Sequence, residues 1–85
     1  MEIENKVIVV TGGSGGIGQA LATSFIHQKA KVVIVLDINF DNFESGSDKL
    51  ISKVCDVTNE KELNKIIDEI NHDFGLIDIF CSNAG

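Results

Sequence analysis

Apolar residues occur along the chain in short unbroken runs, and these runs alternate with segments of helical spacing. Lys6–Val10 and Val32–Leu36 are rich in β-branched residues, which is typical of strands buried on both faces. Between these two runs, residues that are mostly small or apolar recur every three or four positions. They are Ile17, Ala20, Leu21, Ser24, Phe25 and Gln28. The first part of the chain is therefore expected to form a strand, a helix and a second strand.

The second half of the chain repeats this alternation. Lys53–Val57 is predicted to be a short third strand. A helix then starts after Asn59, an N-cap residue type, with Glu62 three positions later as in a capping box. Its expected buried stripe consists of Leu63, Ile66, Ile67 and Ile70. Gly75 is a plausible C-terminal stop, and Ile77–Cys81 is predicted to be a fourth strand.

Strands that alternate with crossover segments indicate an α/β fold with a doubly wound parallel sheet. The predicted strand order is 3-2-1-4, and the order reverses between strands 1 and 4. The crossover over residues 39–52 has turn composition and is expected to lack a full helix. Ligands of such sheets bind beyond the carboxyl ends of the strands, at the reversal.

Composition and charge exclude several classes of protein. The 85 residues are 44% hydrophobic and 24% charged, which is ordinary for a globular domain and unlike a disordered or collagen-like chain. The net charge is −6 and there is no arginine among the basic residues, so nucleic acid is not expected as a partner. No apolar run approaches the ~20 residues that span a bilayer. The N-terminus has no signal-peptide pattern, and a cytoplasmic location without membrane attachment is expected.

The segment between the first strand and the first helix has glycine at five of seven positions, 12–18. Two motifs overlap there, namely Gly13-x-Gly15-x-x-Gly18 and Thr11-Gly12-x-x-x-Gly16-x-Gly18. Glycines allow the backbone to approach a ligand closely, and a helix N-terminus attracts phosphate. Such glycines also occur simply to make a tight turn. Their position after a buried strand and before a helix favours nucleotide binding.

Asp37 follows the second strand, 19 positions after Gly18 (37 − 18). This is close to the ~20 positions at which a carboxylate reaches the adenosine ribose of a dinucleotide. The alternative is a solvated acid at a strand end. A carboxylate here would repel the 2′-phosphate of NADP, and no lysine lies between Lys6 and Lys29. NAD is therefore the favoured cofactor.

Three motifs together resemble the short-chain dehydrogenase/reductase family, whose fold is Rossmann-type. They are Thr11-Gly12-(x3)-Gly16-Ile17-Gly18, Asp56-Val57 and Asn83-Ala84-Gly85. They occur in the family's order over the whole chain, and the first and last are characteristic cofactor-binding motifs.

The resemblance implies a role for each matching position. The pyrophosphate and its ribose would be cradled by Gly12, Ser14, Gly16, Ile17 and Gly18. Asp37 and Ile38 would hold the adenosine ribose. Asp56 and Val57 would line the adenine pocket, with the Asp56 carboxylate accepting a hydrogen bond from the adenine amine. Asn83, Ala84 and Gly85 would border the adenosine ribose.

The same resemblance implies an NAD-dependent oxidoreductase acting on an alcohol or ketone. The family's catalytic serine, tyrosine and lysine follow the Asn-Ala-Gly motif, and these 85 residues contain no tyrosine. Residues 1–85 are accordingly expected to be the N-terminal portion of a single NAD-binding domain, with the catalytic part absent. A full-length form would be a homo-oligomer, dimeric or tetrameric. The chain departs from the family in its short second crossover and at Ser82, where a second asparagine is usual.

Other functions remain open at this point. The chain could be a non-catalytic NAD-binding module or an inactive fragment. A methyltransferase of similar fold is disfavoured by Asn-Ala-Gly, and a P-loop NTPase by the missing Lys-Ser/Thr after the glycines. Cys55 and Cys81 are expected on strands about 14 Å apart, too far for a disulfide. No metal site is expected, because histidines and cysteines do not cluster.

Overall fold

The structure, a computed structural model, describes residues 2–12, 16–39 and 47–82. Four strands and two helices form in the order β1, α1, β2, β3, α2, β4. The strands are β1 (Val7–Thr11), β2 (Val32–Asp37), β3 (Leu50–Val54) and β4 (Ile79–Ser82). The helices are α1 (Gly16–His27) and α2 (Glu60–Phe74). Residues 40–46 of the second crossover, on which the prediction of a segment without a full helix depends, lie outside the described residues.

All strands pair in parallel, and their spatial order is β3-β2-β1-β4. In the register of the sheet, Ile8 of β1 is opposite Val33 of β2 on one side and Ile79 of β4 on the other. The doubly wound Rossmann-type α/β fold and the strand order predicted from the sequence are confirmed. The order reverses at β1, so the carboxyl end of this strand lies at the reversal.

The sheet has an apolar layer on each face because successive side chains of a strand point to opposite sides. Ile8 and Val10 belong to the cluster that packs under α1. Val7 and Val9 belong to the cluster under α2. Every residue of β1 is buried, as expected for a central strand that is covered on both faces.

Helix α1 packs through a stripe that agrees only in part with the prediction, since Leu21 and Phe25 are its shared members. Gly18 and Ala22 are its buried residues, and Leu21, Phe25 and Ile26 pack beside them. Ile17, Ala20, Ser24 and Gln28, which were expected on the buried face, are exposed. The predicted stripe left out Gly18 and Ala22, whose small size allows the helix to approach the sheet closely.

Helix α2 begins and ends as predicted. The Asn59 side chain accepts a hydrogen bond from the Glu62 N–H (3.2 Å), which is the expected N-cap. At the other end, Gly75 has φ of 99° and donates its N–H to the Asn71 carbonyl (3.1 Å). Leu63, Ile66 and Ile70 of the predicted stripe belong to the core cluster, but Ile67 does not.

The strand bounds differ from the prediction mainly at β3. This strand covers Leu50–Val54 rather than Lys53–Val57. The Cys55 N–H still donates to the Asp37 carbonyl (2.9 Å), after which the chain turns away at Asp56. β3 is an edge strand in which only Leu50 is buried and the other residues are half-buried or exposed, so it lacks the unbroken apolar run on which the prediction was based. The fourth strand starts two residues later than predicted, and the first and second end one residue later.

None of the described helices combines the length and the apolar character needed to cross a bilayer.

Candidate functional site

A groove of about 170 Å³ lies at the carboxyl ends of β1, β2 and β3. Its lining residues come from the end of each strand and the turn after β3. They are Gly12, Leu36, Asp37, Ile38, Cys55, Asp56, Val57 and Thr58. A concave site at this edge of the sheet, next to the point where the strand order reverses, is the usual place for a ligand in such folds.

Gly12 turns the chain out of β1. Its φ of 67° lies in the left-handed region that glycine adopts without strain. Its N–H donates to the Leu36 carbonyl (2.8 Å), so the start of the glycine segment is fixed to the end of β2. The chain therefore leaves β1 beside the groove.

Helix α1 begins at Gly16 with no acidic side chain in its first turn. The first N–H groups of a helix lack partners within the helix, and they carry a partial positive charge. A methyl group added at Gly16 would meet no atom of the described residues within 4 Å. Its φ is not among the positive values either, so neither packing nor backbone conformation requires glycine there. Ile17 is 78% exposed beside it, whereas Gly18 is buried against the sheet.

Asp37 is the last residue of β2 and is half-buried. Its Oδ1 accepts a hydrogen bond from the Ile38 N–H (2.7 Å), which orients the carboxylate at the strand end. Its carbonyl accepts from the Cys55 N–H, so the ends of β2 and β3 are held together. Ile38 is 68% exposed and forms an apolar border of the groove.

Asp56 is held by the turn that follows β3. Its Oδ1 accepts from both the Oγ1 (2.6 Å) and the N–H (3.0 Å) of Thr58. The Thr58 hydroxyl, followed by the Thr58 N–H, lowers the pKa of the Asp56 carboxyl below its ordinary value because both groups stabilise the anion. Asp56 is therefore a carboxylate at neutral pH.

Cys55 lies in the floor of the groove, just after β3 rather than within the strand. It is fully buried. Burial raises the pKa of its thiol, and the nearby carboxylates of Glu62 and Asp56 raise it further. The thiol is consequently neutral and a poor nucleophile at neutral pH. Cys81 lies on β4, and both cysteines are free.

The structure places five of the predicted site residues around the groove. They are Gly12, Asp37, Ile38, Asp56 and Val57. Gly16, Ile17 and Gly18 form the first turn of α1. Ser14, Asn83, Ala84 and Gly85 lie outside the described residues, as do Gly13 and Gly15 of the alternative glycine motif.

The sequence prediction did not include Thr58 in the site. The signal was present, since a threonine two positions after an aspartate is a common arrangement for a local side-chain hydrogen bond. The capping box identified Glu62 only as part of a helix start. Within residues 2–12, 16–39 and 47–82, no three His, Cys, Asp or Glu side chains are arranged to hold a metal ion.

A second cavity, of about 230 Å³, is lined by residues of α1 and β3 and by Ser47. Its residues are Thr23, Ile26, His27, Ser47 and Leu50. None of the predicted site residues is among them.

Comparison with known proteins gives consistent results for sequence and structure. The model of the short chain dehydrogenase family matches residues 6–85. A sorbose reductase of Candida albicans is 40% identical over 91 residues, which cover 98% of this chain and 32% of the reductase. The zerumbone synthase of Zingiber zerumbet is 37% identical over 91 residues, covering 100% of this chain and 34% of the synthase.

Two solved structures illustrate the similarity of fold. An aldohexose dehydrogenase of Thermoplasma acidophilum in ligand-free form superposes with a TM-score of 0.83 at 37% identity, covering 98% of this chain and 31% of the dehydrogenase. A short chain dehydrogenase of Leptospira borgpetersenii with bound NAD⁺ gives 0.81 at 32% identity, covering 93% and 31%. The chain spans about a third of the length of these relatives.

Proposed function

Because the chain belongs to the short-chain dehydrogenase/reductase family, we propose that it forms the NAD-binding part of an oxidoreductase that acts on an alcohol or ketone. In such an enzyme the nicotinamide of NAD supplies or accepts the hydride. The residues of this chain bind and orient the adenosine and pyrophosphate portions of the cofactor.

The observation that carries the proposal is the glycine at the start of α1. Glycine costs about 1 kcal/mol relative to alanine in a helix interior, and even at a helix start it contributes no packing. At Gly16 neither the backbone conformation nor the surrounding described atoms require it. A ligand that approaches the backbone closely gives a reason for glycine there, and a helix N-terminus without acidic side chains suits a pyrophosphate.

The groove at the ends of β1, β2 and β3 has the chemistry for adenosine. We infer that the Asp37 carboxylate accepts hydrogen bonds from the ribose hydroxyls and that Ile38 borders the same sugar. Asp56 and Val57 then face the adenine, and Asn83, Ala84 and Gly85 complete the pocket, as does Ser14 at the pyrophosphate. A 2′-phosphate next to Asp37 would bring like charges together, which supports NAD over NADP.

We further propose that residues 1–85 are the N-terminal portion of a longer NAD-binding domain. The length of the relatives supports this, since the chain covers 31% to 34% of those described above. These residues contain no tyrosine, so proton transfer to or from the substrate would rest on residues elsewhere in the protein. Substrate binding and assembly into a homo-oligomer would rest there too.

The first experiment is the intact mass of the natural polypeptide together with NAD and NADP titrations of the same sample. We expect a mass far above 9.2 kDa and tighter binding of NAD. The variant Asp37→Ser should weaken NAD by about tenfold or more, since hydrogen bonds to a charged group contribute about 1.5–3 kcal/mol. The same variant should weaken the binding of NADP much less.

The matched control for this experiment is Asp68→Ser, which removes the same charge from an exposed position of α2. NAD and NADP affinities should be unchanged in this variant. If the unmodified protein binds NADP at least as tightly as NAD, the role proposed for Asp37 is wrong.

A second candidate is a binding module that holds NAD without catalysis, since the groove and the first turn of α1 would hold the cofactor in the same way. Both candidates bind NAD, so titration does not separate them. A Tyr-(x3)-Lys sequence in the natural polypeptide, together with turnover of NAD by an alcohol, would support the oxidoreductase. Binding without any turnover would support the module.

A further inference from the structure

The carboxylate of Glu62 makes a hydrogen bond that an ordinary capping box lacks. In a capping box the acidic side chain at this helix position returns to the N–H of the N-cap residue. Here the Asn59 N–H donates instead to the Asp56 carbonyl (3.0 Å). Glu62 Oε1 reaches past the N-cap and accepts from the Asp56 N–H (3.1 Å), a partly buried contact.

Asp56 is consequently held at three of its polar groups. Glu62 accepts from its N–H, Asn59 donates to its carbonyl, and Thr58 donates twice to its Oδ1. No hydrogen bond to Asp56 Oδ2 is formed by the described part of the chain. Because Asp56 lines the groove, this oxygen is the acceptor that the turn leaves for a ligand.

We propose that Glu62 is a positioning residue for adenine recognition: from the first turn of α2 it fixes the backbone of Asp56, so that Oδ2 faces the amine of the purine. This inference rests on the proposed function. Glu62 does not touch the ligand, and its effect passes through one hydrogen bond. The negative charge of Glu62 is tolerated close to Asp56 because the N-terminus of α2 carries a partial positive charge.

The length of the side chain provides a sharp test. Glu62→Asp keeps an acid in the first turn of α2, but its carboxylate is one methylene too short to reach the Asp56 N–H. Glu62→Gln keeps the acceptor oxygen at the same distance and removes the charge. Glu62→Ala removes the acceptor altogether. The positioning role predicts that the Asp and Ala variants share one defect and that Gln restores the wild-type behaviour.

The readout is the ratio of the dissociation constants of NAD and nicotinamide hypoxanthine dinucleotide, measured on the natural polypeptide. The second compound has a carbonyl oxygen in place of the adenine amine and an N–H at N1 in place of the acceptor nitrogen, so the ratio reports how the protein recognises this edge of the purine. We expect the wild-type protein to prefer NAD. The preference should fall by about three- to tenfold in Glu62→Asp and Glu62→Ala, the range expected for one hydrogen bond.

Two control variants separate positioning from loss of stability. Glu60→Ala removes an acid from the same helical turn, and Asn71→Ala removes a hydrogen bond to the Ile77 N–H at the other end of α2. Both variants should keep the wild-type preference for NAD over nicotinamide hypoxanthine dinucleotide, even if Asn71→Ala lowers the melting temperature.

The outcomes distinguish the inference from the function on which it rests. An unchanged preference in Glu62→Asp and Glu62→Ala, with NAD still preferred by the wild type, overturns the role of Glu62 alone. A wild-type protein that binds neither dinucleotide, or both equally, overturns the proposed adenine contact and the role of Glu62 with it.

Discussion

Asp56 illustrates how short-range hydrogen bonds prepare a single side chain for binding. The Thr58 hydroxyl and N–H both donate to one of its carboxylate oxygens, and they lie only two positions away. Such local bonds form as soon as the turn forms, whatever the rest of the fold does. The carboxylate is therefore oriented before a ligand arrives, which lowers the ordering cost of binding.

Replacement of Thr58 by valine should raise the pKa of the Asp56 carboxyl toward its ordinary value of 3.8, because the largest stabilising contact of the anion is lost. A carboxyl group with a lowered pKa in the folded state stabilises the protein above pH 3.8. That contribution is lost as the pH falls through the lowered pKa. In Thr58→Val this contribution to stability above pH 3.8 should be smaller, because the pKa values of Asp56 in the folded and unfolded states lie closer together.

The titration of Asp56 can be followed by NMR of its carboxyl carbon. Thr23→Val, an exposed change on α1, is the control and should leave the midpoint unchanged. A midpoint in Thr58→Val equal to that of the wild type would show that the hydroxyl does not stabilise the anion.

At the scale of single residues, the sequence predicted where a side chain lies in the fold better than it predicted which side chains form hydrogen bonds with each other. Asp37 and Asp56 could be placed at one edge of the sheet because each follows a strand, and parallel strands end on the same side. The Glu62–Asp56 hydrogen bond could not be predicted. A capping box offers the carboxylate a nearer N–H, and only the path of the turn decides which one it reaches.

At the scale of elements, the two helices end by different means. Gly75 ends α2 and was identifiable from sequence, because glycine favours the left-handed conformation that it adopts. Helix α1 ends at His27, and Lys29, two residues later, has φ of 69°. The Lys29 N–H donates to the Ile26 carbonyl and the Ala30 N–H to the Phe25 carbonyl, a Schellman motif without glycine. No residue type in that segment signals this ending.

Lys29→Gly should increase the free energy of unfolding by about 1 kcal/mol, because the left-handed conformation costs a residue with a Cβ about 1–2 kcal/mol and costs glycine little. Urea denaturation at constant m-value measures the change. Asn5→Gly is the matched control. Asn5 has φ of 62°, and asparagine already tolerates this region, so its effect should be much smaller. Equal effects of the two changes would contradict the explanation.

At the scale of the whole molecule, the strand order could be predicted because one topological rule, the right-handed crossover, leaves few alternatives. The bounds of β3 could not be predicted from the sequence. Only Leu50 is buried in this edge strand, so β3 lacks the continuous buried run that marks β1 and β2. The buried stripe of α1 was predicted only in part for a different reason, since its close approach to the sheet depends on Gly18 and Ala22, which carry little or no hydrophobic pattern.

The two edges of the described sheet differ in their protection. β3 contains Lys53, and charged side chains discourage edge-to-edge pairing. β4 contains no charged residue, and Phe80 on it is 44% exposed. When residues 1–85 are expressed alone, we expect self-association through β4.

Phe80→Lys should therefore reduce self-association of the 85-residue chain, as measured by sedimentation velocity at micromolar concentration. Val54→Lys adds the same charge to β3, where Val54 is 67% exposed, and should have a smaller effect. If Val54→Lys suppresses association as strongly as Phe80→Lys, the contact involves both edges or the apolar surface in general.

Because β1 lies in the middle of the sheet, its two sides can pair with their neighbouring strands only at different times during synthesis on the ribosome. Its pairing with β2 joins Val7 to Val32, which are 25 residues apart (32 − 7). Its other side pairs with β4. Just before β4, Asp78 Oδ2 accepts a hydrogen bond from the Val7 N–H, 71 residues earlier in the chain. At about 5–20 residues per second, the intervening 46 residues (71 − 25) take about 2–9 s to synthesise. During that interval one side of the apolar strand β1 has no partner strand and is accessible to chaperones.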